Sequence, residues 1–88
     1  MNGEFEVLGV YPVSFMPVPF VVGTPSWDMC VGQSVRLRKK NGAIFDGTIE
    51  SFDFHRPTED QISVVFSAGI SKNAEPGDVI SLVQEVDL

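Results

Sequence analysis

The sequence predicts an all-β domain, either a sandwich or a closed barrel. Three observations point there. No window carries a helical period, the apolar runs are rich in Val, Ile, Phe and Thr, and turn residues interrupt them about every ten positions. Eighty-eight residues make one domain, taken as 1–88. Hydrophobic residues are 43% of the chain, enough for one core and too many for a disordered segment of this net charge.

Six segments read as strands: Phe5–Val10, Val18–Val22, Ser34–Lys39, Ala43–Phe54, Gln61–Ser67 and Val79–Val86. The run from Val10 to Gly23 also invites a membrane or leader reading. Pro12, Pro17 and Pro19 interrupt it, and Glu4 and Glu6 stand where a leader would carry positive charge. It is also short of the roughly 20 apolar residues that a spanning helix needs. It is assigned to the fold, and no membrane partner is expected.

The third and fourth strands meet around Asn41-Gly42. A two-residue turn there would set Leu37 opposite Asp46 and Arg38 opposite Phe45, mixing apolar and charged residues on one face. A three-residue loop, Lys40-Asn41-Gly42, sets Leu37 opposite Phe45, Val35 opposite Gly47 and Arg36 opposite Asp46. Both faces then agree, and Gly42 supplies the left-handed residue that such loops use. Arg36 gains a cross-strand acid. Further on, Phe45, Gly47 and Ile49 share one parity while Phe52 and Phe54 share the other. A bulge near Glu50-Ser51 is therefore expected, bending a long strand as barrel closure requires.

The connection Gly69-Ile70-Ser71-Lys72-Asn73-Ala74-Glu75-Pro76-Gly77-Asp78-Val79-Ile80 resembles the end of the second domain of translational GTPases such as elongation factor Tu. In that family an apolar strand leads into Gly-Ile, a polar connection, a Gly and a final strand. Val10-Tyr11-Pro12-Val13 is similar to the family's Val-Phe-x-Ile, and Val31-Gly32-Gln33-Ser34-Val35 to its Val-Gly-Asp-x-Val. Gly47-Thr48-Ile49-Glu50-Ser51 resembles Gly-x-Val-x-Ser, and Asp60-Gln61-Ile62-Ser63-Val64-Val65 resembles Asp-x-Val-Gly-Leu-x. The five pieces run in the family's order over about Phe5 to Leu82. The resemblance implies a closed six-stranded antiparallel β-barrel with Greek-key connections.

This chain lacks a Gly-x-x-x-x-Gly-Lys-Ser/Thr loop, so no nucleotide or other cofactor is expected. The family's Gly-rich step is replaced by Ser14-Phe15-Met16-Pro17, a turn Gly is replaced near Trp27, and the connection from His55 to Asp60 is short. The family's second domain helps to hold the aminoacyl end of tRNA, but none of those contact residues can be matched here.

No catalytic or metal set is expected. His55 is the only histidine, and beside Asp53 and Glu59 it reads as a strand-end residue. Cys30 stands alone and reads as a buried or half-buried structural thiol, consistent with a cytoplasmic location. Asp53 with Glu59-Asp60, and Glu75 with Asp78, read as solvated acids near turns. The net charge of −6 disfavours nucleic acid, although Arg36, Arg38, Lys39 and Lys40 are four of six basic residues. They read as a solvated strand end paired with acids.

The remaining candidates are apolar loop residues: Phe15, Met16 and Pro17 in one connection, Trp27 and Met29 in the next. They either plug a barrel end or form a patch for a protein partner, with Arg36 and Arg38 as further contacts. The expected function is a non-catalytic protein-binding module, with translation as the process that the resemblance implies. The alternative is an acidic antagonist, such as an immunity protein that neutralises a basic toxin. An RNA-binding barrel is a distant third.

Overall fold

Six antiparallel strands and one short helix form a closed barrel, seen in a computed structural model that describes residues 3–12, 14, 17–53 and 60–83. The strands are β1 (Glu4–Tyr11), β2 (Phe20–Pro25), β3 (Ser34–Arg38), β4 (Ile44–Asp53), β5 (Ile62–Phe66) and β6 (Val79–Leu82). Around the barrel they run β1-β2-β5-β4-β3-β6, with β6 closing back onto β1. Closure chooses the barrel over the sandwich and leaves no unpaired sheet edge.

The β3–β4 hairpin has the predicted register: Val35 pairs Gly47, Arg36 pairs Asp46 and Leu37 pairs Phe45. Lys39 N–H donates to Ala43 O (2.8 Å) and Gly42 N–H to Lys39 O (3.0 Å), closing the three-residue loop. Gly42 has φ +94°, the left-handed conformation that any Cβ would strain. The expected bulge in β4 is present, between Ile49 and Ser51. A second bulge lies in β1 between Val7 and Gly9. These two bends sit on strands three places apart, on opposite sides of the ring, and help to curl the sheet into a cylinder.

The inward row holds Phe5, Val7, Val21, Val35, Leu37, Ile49, Val64, Phe66, Ile70 and Ile80, all essentially inaccessible to solvent. Phe5 and Phe66 meet edge to face, with centroids 5.6 Å apart and planes at 75°. Alternation explains the pattern: along β1 exposed Glu4, Glu6 and Leu8 alternate with buried Phe5, Val7 and Gly9.

Several boundaries differ from the sequence reading. β2 begins at Phe20 rather than Val18 and extends to Pro25. Pro19 has no N–H to donate, so pairing starts after it. The helix α1 (Ala68–Ser71) was not predicted, because four residues are too few to show a period. It occupies the start of the polar connection that follows β5 and caps one barrel end with Ile70. Phe54, His55, Glu59 and the segment 84–86 lie outside the described residues.

Candidate functional site

Two places concentrate polar chemistry: the joint between the hairpin root and the 72–78 turn, and the loop 26–33.

At the first, Lys39 follows Val35 and Leu37 on the inward parity, so its ammonium reaches the barrel end instead of water. Its side chain is 11% exposed. Lys39 Nζ donates to Asp78 Oδ2 (2.5 Å), Glu75 Oε1 (2.8 Å) and the carbonyl of Asn73. These three acceptors match the three protons of an ammonium. Asp78 is fully buried and also accepts from Glu75 N–H (2.8 Å) and, more loosely, Lys40 N–H (3.4 Å). Two predictions are corrected here. Asp78 is not a solvated turn acid, and Lys39 is not part of a solvated basic strand end. Glu75, however, is exposed.

Burial pushes the Asp78 carboxyl up, but hydrogen bonds from Lys39 and the backbone outweigh it and hold Asp78 below its ordinary 3.8. Burial likewise pulls Lys39 down, while Asp78 and Glu75 raise it above 10.5. Asp78's contribution to stability is present above the unfolded value and lost as pH falls through its lower folded one. Lys39's is present below the unfolded value and lost as pH rises through its higher folded one. Thermal stability should therefore be level over roughly pH 5–9, falling below about pH 4 and above about pH 10.5. A melting curve series with Asp78→Asn should show a shallower acid limb; an unchanged limb would refute the assignment.

The basic residues Arg36, Arg38, Lys39 and Lys40 are not brought together. Arg36 Nε donates to Asp46 Oδ1 at 2.7 Å on the outer face. That bond raises the Arg36 pKa and lowers that of Asp46. Lys40 Nζ donates to Pro76 O (3.1 Å) and Arg38 is exposed beside Ile44 and Val79. Strand alternation separates Lys39 from the two arginines.

The second place is built by one glutamine. Gln33 Oε1 accepts both Trp27 Nε1–H (3.0 Å) and Cys30 N–H (2.8 Å). The same loop is tied to β4, Gly32 N–H donating to Ile49 O (2.8 Å) and Ile49 N–H to Gln33 O (3.1 Å). Gly32, at φ +93°, makes the turn. The indole of Trp27 lies against Gly3, where an added Cβ would meet ring carbons at 2.5 Å. Trp27 and Met29 are half-buried and pack on the core, while Val31 is 60% exposed.

Cys30 corrects the prediction of a buried or half-buried thiol. It is exposed, because the loop turns Trp27 and Met29 inward and leaves Cys30 and Val31 outward. Of the other candidates, Pro17 is exposed, and Phe15 and Met16 lie outside the described residues. Gln33 was missed by sequence reasoning. Its only signal was a bond-forming side chain at the foot of a Trp-containing turn. An open groove of about 430 Å³ lies elsewhere, beside β6, lined by Glu4, Glu6, Thr24, Ser26, Gly77 and Val79. Among the described residues no cluster of His, Cys, Asp and Glu is arranged to hold a metal ion.

No family model matches the chain, and no curated protein or solved structure matches it.

Proposed function

We propose that the protein is a non-catalytic module that binds another protein through the loop 26–33. The observation that carries this reading is the double acceptor role of Gln33. It fixes a loop that keeps Val31 exposed and Trp27 and Met29 half-exposed, so a partner would bind without first ordering the chain. Trp and Met are also residue types enriched where proteins meet. The translation-factor likeness, with its Greek-key connections, belongs to this proposal. Its support is the order of five motifs on a six-stranded barrel, and it directs the search toward cytoplasmic translation components.

The test is affinity capture with the full chain, mass spectrometry of what is retained, and repetition with Val31→Asp and Gln33→Ala. Both variants should lose the specific partner by tenfold or more, on the order of a well-packed contact, while Val31→Asp keeps the wild-type melting temperature. A purified partner that binds both variants as it binds the wild type would rule the loop out.

The second reading, an acidic antagonist of a basic protein, is supported by the charge of −6 and by the carboxylates of Glu4 and Glu6 at the groove. It calls for binding that disappears at high salt, whereas loop-mediated binding should persist. RNA binding would need Arg36, Arg38, Lys39 and Lys40 to act as one patch, and a gel shift at moderate salt should show none.

A further inference from the structure

We propose that the outward face of β3, β6 and β1 docks against the same face of a second copy of this chain. The register places the outward residues in rows across the three strands. Arg38 pairs Val79, and Val79 pairs Glu6; one row over, Arg36 pairs Ser81, and Ser81 pairs Glu4. The basic side chains therefore line one flank of β6 and the acidic ones the other, at matching heights.

A two-fold axis lying along β6 exchanges the flanks without changing the heights. It sets Arg38 over Glu6 of the second copy and Glu6 over its Arg38, with Val79 on Val79 along the axis. Any two-fold running across the strands would instead set arginine over arginine and glutamate over glutamate. Charge thus selects one orientation, the isologous arrangement in which each patch meets itself. Shape agrees with it. Val79 and Ser81 are short and half-buried, so the middle of the face is low and the long flanking side chains stand above it. The groove bordered by Glu4, Glu6 and Val79 gives Arg38 of the second copy a concave seat.

Arg36 is already bound to Asp46, whereas among the described residues Arg38, Glu4 and Glu6 have no ion-pair partner in this chain. The decisive contact is therefore Arg38 with Glu6, made twice. With one apolar residue at its centre the interface belongs to the weak class, burying less than about 1,200 Å².

Sedimentation velocity of the full chain, from micromolar concentration to about 1 mM, tests this. Wild type should show a rising dimer fraction at about 20 mM salt that vanishes near 500 mM, roughly the range over which exposed charges become screened. Glu6→Arg and Arg38→Glu, each alone, should weaken association about tenfold or more. Their equimolar mixture, and the double variant, should restore it. Chemical-shift changes on dilution should centre on Val79 and Ser81, a readout that needs no variant. A wild-type chain monomeric throughout, a mixture no better than its parts, or dilution shifts confined to another face would each overturn the proposal. The Arg38 and Glu6 changes leave the loop 26–33 intact, so they do not bear on the partner assigned to it.

Discussion

Asp78→Ala is expected to remove about 3–5 kcal/mol of folding stability, the usual cost of leaving a buried charge without its partner. The change strands the Lys39 ammonium, 11% exposed, with only Glu75 and the Asn73 carbonyl. It also strips two backbone N–H groups, of Glu75 and Lys40, of their acceptor. A domain of this size is commonly stable by 5–15 kcal/mol, so the loss takes a large share of the total, about 4–8 °C of melting temperature per kcal/mol. Lys39→Met should cost a similar amount by stranding Asp78. The double variant should cost less than the sum, because it leaves only Glu75 of the three charges, and that one is exposed. Additive losses in a double-mutant cycle would show that the two groups do not act as a pair.

Gly23→Ala carries the second large effect, about 1–3 kcal/mol and more if the strands cannot part. Gly23 faces inward between Val7 of β1 and Ile62 of β5. A Cβ there would press on the carbonyl oxygen of Glu6 and meet the Phe5 ring at 2.6 Å. The ring can turn, but the oxygen belongs to the backbone of β1 and moves only if the β1–β2 ladder opens. Gly69→Ala is the contrasting control. Its nearest neighbour is Asp46 O at 3.8 Å, and it sits in α1, so alanine should stabilise by about 0.4–1 kcal/mol. Chemical denaturation of both variants decides the matter, and a Gly23→Ala chain as stable as wild type would contradict the packing described.

The β3–β4 hairpin was legible because its information is local. Alternation in Val35 and Leu37, the turn residues Asn41-Gly42 and the parity break before Phe52 all lie within one short window. The Lys39–Asp78 pair was not legible in that way, since its partners stand 39 positions apart. A clue existed: Lys39 continues the inward parity of Val35 and Leu37, and an inward lysine requires an acid. The loop 26–33 was half legible. Trp27 and Met29 stood out by composition, but the loop that holds them is fixed by Gln33, marked only as a bond-forming side chain at the foot of the turn. Cys30 was misplaced for the same reason.

β6 is the shortest strand of the barrel, yet it alone joins the β1–β2 hairpin to the β3–β4 hairpin on that side. Until Val79–Leu82 has left the ribosome, β1 and β3 each present an open edge, and Asp78 is not in place to neutralise Lys39. The cylinder therefore cannot form piecemeal as the chain is made. Closure of the barrel awaits β6, and a chain without it displays two strand edges that invite pairing with other chains. A refolding rate governed by closure of β6, slowed by Ile80→Ala as strongly as equilibrium stability is lowered, would be the kinetic mark of that dependence.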